Sequence, residues 1–140
     1  MVELSPIALN RKIALTIRVR ISKAFISPCY WCGKRPNEIN NWKNALNCSY
    51  DEFPKINSTK SLIGHTLGAA GAIECVASVL QLSGGFIHGS KNCEDLHFKL
   101  EQFSGSIVHE TTDVDLNIVA KASFGFGDVN ACLILKKWDY

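Results

Sequence analysis

Residues 57–72, NSTKSLIGHTLGAAGA, set a lysine and a histidine five positions apart ahead of a run of glycine and alanine. From about His65 to about Leu82 the spacing predicts a helix. Its apolar residues Leu67, Ile73, Val76, Val79 and Leu80 leave no broad polar face. Gly68, Ala69, Ala70, Gly71 and Ala72 have almost no side chain. Glycine inside a helix costs about 1 kcal/mol relative to alanine. Close approach of another backbone would offset that cost, so the helix is expected to be buried on several sides. Ser83-Gly84-Gly85 should end it. At the start of such a helix, His65 would meet unpaired backbone N–H groups and the positive end of the dipole. That field favours a neutral imidazole able to polarise a carbonyl, and Lys60 would act in the same direction. A capped helix start with a hydrogen-bonded histidine accounts for the same residues.

Downstream of this stretch, Phe86–Glu101 reads as irregular, with a helical turn near Asp95. Ile107-Val108 reads as a short strand. Two strand candidates, Asp115–Ala122 and Ala131–Lys137, flank SFGFGDVN at 123–130. That length suits an antiparallel return with a wide loop. The glycines of Phe124-Gly125-Phe126-Gly127 could aim main-chain N–H groups inward as an oxyanion hole does. They could equally take positive φ while the phenylalanines fill the core. Upstream, Pro54–Ser58 reads as a short strand. Ile13, Leu15, Ile17, Val19 and Ile21 alternate with Ala14, Thr16, Arg18 and Arg20, the pattern of a half-buried strand. SPCYWCGKRPNEINNW, residues 27–42, reads as loop, with a short helical stretch from Trp42 to Leu46.

A chain of 140 residues, 46% apolar and 20% charged, is one folded domain's worth. The most apolar stretch, Leu62–Leu82, contains His65, Glu74 and Gln81, so it is expected to be a helix of a soluble protein and no membrane span. Arg18, Arg20 and Lys23 interrupt any signal-peptide core, and a cytoplasmic location with reduced thiols is expected. Of the six cysteines, Cys75 and Cys132 look like small core residues. Cys29 and Cys32 have half the spacing of a zinc knuckle but no second pair, so no metal site is expected. His88, His97 and His109 read as surface or loop residues. Residues 1–50 hold eight Lys/Arg against two Asp/Glu, and residues 51–140 hold seven against eleven. The basic stretch Arg18–Lys23 reads as a solvated strand face, without nucleic-acid binding. The charge shift is consistent with a seam between segments of different origin.

The two glycine-rich motifs together are more specific than either alone. NSTKSLIGHTLGAAGA followed about sixty residues later by ASFGFGDVNACLIL resembles the C-terminal part of the β-ketoacyl-[acyl-carrier-protein] synthases. Order, spacing and position agree over residues 53–140. Residues 1–52 form a basic segment without the resemblance. The family implies an α/β, thiolase-like fold, here its C-terminal half: a mixed sheet with a buried Gly/Ala-rich helix. It implies decarboxylative condensation of an acyl thioester with malonyl-carrier, in fatty-acid or polyketide synthesis. The implied partners are the phosphopantetheine-linked acyl carrier protein and a second subunit, in a homodimer or a synthase–partner heterodimer. No other cofactor is implied. His65 matches the histidine that hydrogen-bonds the thioester carbonyl. Lys60 matches the lysine of the site's charge network. Phe126 matches the residue whose N–H joins the oxyanion hole and whose ring gates the acyl channel. Phe124, Gly125 and Gly127 complete that loop.

The departures from the family are equally informative. Its nucleophilic cysteine and its first active-site histidine have no counterpart here. The chain is therefore expected to be a fragment without condensing activity of its own. A non-catalytic partner subunit of a condensing enzyme is the alternative. Asp128 stands where the family has a second glycine, and it tolerates the left-handed region better than most residues.

Overall fold

The computed structural model describes residues 24–27, 36–124 and 130–138. Strand β1 (Ala24–Ser27) precedes helix α1 (Pro36–Leu46), strand β2 (Lys55–Ile56) and the single-turn helix α2 (Lys60–Ile63). A 3-10 turn at Leu67–Ala69 leads into α3 (Ala70–Gly84), which is followed by β3 (Phe86–Ile87). A 3-10 segment at Phe98–Ser106, β4 (Thr112–Asp113), β5 (Ile118–Phe124) and β6 (Asn130–Lys136) complete the order. The strands make a four-stranded sheet in the order β2-β1-β5-β6 and a separate antiparallel pair, β3-β4. In the large sheet β1 runs parallel to both β2 and β5, and β5 pairs antiparallel with β6. This is the expected mixed sheet. The late strands lie close to where the alternation put them. Pro54–Ser58 contracts to the two residues of β2, and Ile107 contributes a single bridge to Ile56.

The period-two geometry of β5 separates two layers. Ile118, Ala120 and Ala122 join a core that also holds Ile39, Trp42 and Leu46 of α1 together with Leu100 and Phe103. Val119, between them in sequence, belongs to a second core with Leu82 of α3, Ile87 and Leu116. Among the described residues, Phe103 is the bulkiest fully buried side chain, and it meets the rings of Phe53 and Tyr50 edge-on, at 5.0 Å each.

Helix α1 corrects the loop expected over residues 27–42, because it begins at Pro36. Proline at the first helical position sets φ and gives up an N–H that would have no helical partner. Glu38 near the N-terminus and Lys43 in the last turn complement the dipole. Ile39, Trp42 and Leu46 form the buried stripe. Asn47, at φ +50°, takes the left-handed conformation just past the end. Four asparagines in the segment hid this helix, since asparagine is a turn former by composition.

The Gly/Ala-rich helix also differs from expectation in two ways. It starts at Ala70, and His65 lies in the break between α2 and the 3-10 turn. It is buried along one face only, and that face is polar at its centre: Ala70, Glu74, Ser78, Gln81 and Leu82 point inward. Ile73, Val76, Val79 and Leu80 point outward, Val76 with 60% of its surface exposed. Among the described residues, no backbone makes the approach expected at Gly68 and Gly71. Nothing among the described residues lies within 4 Å of a Cβ built on Gly68, and what lies nearest Gly71 is the Lys121 ammonium and the Ser123 hydroxyl. Gly85 ends α3 as expected, at φ +69° with its N–H on the Gln81 carbonyl at 2.9 Å. The irregular Phe86–Glu101 segment contains β3 and the start of the 3-10 segment, whose N-terminus is capped by His97.

Candidate active site

Asn57, Ser58 and Thr59 lead from β2 into α2, and all three are buried. Asn57 Nδ2 donates to Gln81 Oε1 at 2.9 Å and to the His88 carbonyl at 2.8 Å. The Ser58 N–H donates to Ser90 Oγ at 3.0 Å. These bonds fix the Asn-Ser-Thr turn to α3 and to the β3 exit, so the next residue, Lys60, is directed inward.

Lys60 is 3% exposed, and its ammonium pairs with Glu74 Oε1. The other carboxylate oxygen, Glu74 Oε2, lies 3.1 Å from Lys121 Nζ. Lys121 also donates to Ser123 Oγ. A single buried carboxylate on α3 therefore stands between two ammonium groups, one from the His65 segment and one from β5. Buried charges require such pairing, because desolvating an isolated one costs several kcal/mol. The sequence reading named Lys60 and missed Glu74 and Lys121. The available signal was a glutamate on a strongly apolar helix and a lysine inside a strand of small and β-branched residues, neither of which is at home in a core unless paired.

His65 is exposed, and its Nδ1 accepts a hydrogen bond from the Leu67 N–H at 3.0 Å. With Nδ1 occupied as acceptor, a neutral ring carries its proton on Nε2. That is a donor suited to polarising a carbonyl. The physical support differs from the one expected. Dipole fields fade within one helical turn, and α3 begins five residues on. The Lys60 ammonium is paired with Glu74. The backbone turn at Gly64 (φ +75°) and Leu67 (φ +50°) positions the ring instead.

Phe124, the last residue of β5, is 43% exposed and pairs with Asn130 across the hairpin. Gly125, Phe126, Gly127 and Asp128 lie outside the described residues, as do Ile13–Ile21, Cys29 and Cys32. Ser123, bonded to Lys121, is the residue before Phe124. Lys60, Glu74, Lys121 and Ser123 thus form a continuous chain of contacts from the His65 segment to the end of β5.

His88, read as a surface or loop residue, lies in the loop after β3 and is half-buried. Its Nδ1 donates to the Gly89 carbonyl at 3.0 Å, which leaves Nε2 to accept from Thr59 Oγ1 at 3.2 Å. Burial pushes the ring below the ordinary histidine range, against the opposing effect of the Gly89 carbonyl. Cys48 and Cys93 are buried, and Cys75 and Cys132 are half-buried. Burial raises the Cys48 and Cys132 thiols above the ordinary range, and Lys43 and Lys121 respectively offset it only in part. A thiol held protonated is a poor nucleophile.

Comparison with known proteins gives the family and the fold that this sequence resembles. Residues 35–94 match the family described as the β-ketoacyl synthase C-terminal domain. The 3-oxoacyl-[acyl-carrier-protein] synthase 1 of Escherichia coli K12 is 49% identical over 88 residues, covering 62% of this chain and 21% of that protein. Its counterpart in Haemophilus influenzae is 46% identical over 90 residues, covering 64% and 22%. Among solved structures, the ishigamide ketosynthase/chain length factor superposes with a TM-score of 0.73 at 25% identity, covering 91% of this chain and 33% of that one. A type II polyketide ketosynthase, solved with its acyl-carrier protein, gives 0.76 at 24% identity, covering 99% and 35%. The fold is thiolase-like. The chain carries sequence of the β-ketoacyl synthase C-terminal domain, matched over residues 35–94. It spans about a fifth of the length of the curated relatives it matches.

Proposed function

We propose that this chain supplies one wall of a β-ketoacyl synthase active site. In the complete assembly an acyl group on a cysteine outside this chain would be joined to malonyl-carrier, with loss of carbon dioxide. His65 would hydrogen-bond the thioester carbonyl through Nε2. Lys60 would hold the His65 segment by its buried bond to Glu74. Phe124, Gly125, Phe126 and Gly127 would form the oxyanion hole and acyl gate. The observation that carries this reading is the bond from Leu67 to His65 Nδ1, because it leaves the reacting nitrogen as a donor.

Acyl carrier protein as donor, a second synthase subunit as partner and a cytoplasmic location belong to the same proposal. Nucleic acid and membrane have no part in it. The α3 segment, with its preceding turn, Leu67–Gly84, is long and apolar enough to cross a bilayer by composition. Its inward face carries Glu74, Ser78 and Gln81 against the rest of the unit, and its outward apolar face would be covered by the remainder of the synthase fold. The division at residues 52 and 53 is retained as a proposal about where the site-bearing sequence begins. Strand β1 (Ala24–Ser27), before that division, already pairs with β2 and β5.

The test is complementation. The chain is co-expressed with a 3-oxoacyl-[acyl-carrier-protein] synthase lacking the corresponding C-terminal segment, and β-ketoacyl product and carbon dioxide release are measured. Restored condensation that is lost with His65→Ala supports the reading. Activity no higher than that of the truncated synthase alone overturns it. The chain by itself should show no stoichiometric labelling of one cysteine by a mechanism-based thiol inhibitor.

A further inference from the structure

Lys121 is a buried cation that the reading so far gives no task. It lies on the α3 side of β5, at 4% exposure, three residues before the strand ends at Phe124. A lysine at such a position loses side-chain entropy and hydration, and a leucine or valine would pack there at lower cost. Its surroundings are specific. The ammonium reaches Glu74 Oε2 at 3.1 Å, bonds Ser123 Oγ and faces the open side of Gly71, where an added Cβ would lie 3.8 Å away. The half-buried Cys132 thiol, on the neighbouring strand, also feels its charge.

We infer that Lys121 is a positioning residue, the second arm of a clamp centred on Glu74 that locks the end of β5 to the His65 segment. Glu74 Oε1 holds Lys60, five residues before His65, and Glu74 Oε2 holds Lys121, which in turn holds Ser123 beside Phe124. The two segments are 61 positions apart from Lys60 to Lys121. Side-chain packing alone would leave them free to shift by the fractions of an ångström that matter to a carbonyl-binding histidine. One carboxylate shared by two cations removes that freedom, because displacing either segment exposes a buried charge. The inference deepens the proposed function and rests on it for its purpose, but the mechanical coupling is measurable without catalysis.

The experiment is amide hydrogen exchange on the full chain, unsubstituted and as Lys121→Met, Lys60→Met and the double variant, with the Glu74 carboxyl carbon followed by NMR. Lys121→Met is expected to speed exchange about tenfold or more in both β5 and α2, leaving the Phe98–Ser106 segment unchanged. Lys60→Met is expected to act on the same two elements, and the double variant to show less than the product of the single effects. The Glu74 carboxyl resonance should move in each. Faster exchange confined to β5, with that resonance unmoved, overturns the clamp. Should Lys121→Met fail to fold, the unsubstituted chain decides. Slowly exchanging ammonium protons on both Lys60 and Lys121 support the clamp, and rapid exchange at Lys121 overturns it. Intact coupling in a chain that does not complement a synthase would count against the proposed function and leave the clamp standing.

Discussion

The Leu67 amide donates to His65 Nδ1 across a turn in which Leu67 itself has a positive φ of 50°. A leucine in the left-handed region is strained by roughly 1–2 kcal/mol, so the bond to the imidazole is made in a conformation the backbone does not favour. In the neutral chain the proton should sit on Nε2. Long-range nitrogen–proton spectra of the ring at mildly alkaline pH read the tautomer directly, and a dominant Nδ1–H form would contradict the geometry.

Glu74 supports two buried ammonium groups at once. Glu74→Ala leaves both without a counter-charge and is expected to destabilise by about 3–5 kcal/mol, the range for breaking a buried ion pair. Urea unfolding followed by circular dichroism measures it. A loss below 1 kcal/mol would mean that the cluster is hydrated and not a core element.

His88 should make stability depend on pH. Its folded-state pKa is lowered by burial, so the unfolded chain binds a proton more readily. The stabilisation is complete above the unfolded-state value, about 6.5, and is lost as pH falls from there towards the folded-state value. Unfolding curves taken on either side of that window should show the decline in the unsubstituted chain and a smaller one in His88→Gln.

Phe103 anchors the core between α1 and the sheet. Phe103→Ala removes its edge-on contacts with Phe53 and Tyr50 and opens a cavity, at an expected cost of about 3–5 kcal/mol. The same urea titration reports it, and an unchanged midpoint would refute the packing described.

Val76 and Val79 face outward on α3. Their joint replacement by glutamate should change the stability of the isolated chain by no more than about 0.5 kcal/mol per site, as for ordinary surface positions. It should nevertheless abolish complementation of a truncated synthase and reduce self-association in light scattering. Large destabilisation of the isolated chain would show that the face is already covered.

The sequence made the sheet and the site unequally legible. Runs of β-branched and apolar residues located β5 and β6 within a few residues, and Ile118–Ala122 of β5 are buried throughout. The Asn-Ser-Thr-Lys and Gly-His pattern named Lys60 and His65. Helix α1 escaped because its asparagines obscured the stripe of Ile39, Trp42 and Leu46. The orientation of α3 escaped for a deeper reason. Apolar residues are normally assigned to the interior, yet here Glu74, Ser78 and Gln81 occupy it. Glu74 and Lys121 are far apart in sequence, and only the packing of α3 on β5 brings them into one cluster.

The outward set of α3, Ile73, Val76, Val79 and Leu80, has a consequence for how substitutions in this chain would be tolerated. Saturation mutagenesis scored by folding of the chain alone should find these positions permissive, whereas scoring by function in a larger assembly should find them restrictive. The difference between the two maps would trace the outline of whatever binds there, residue by residue, without a structure of the complex.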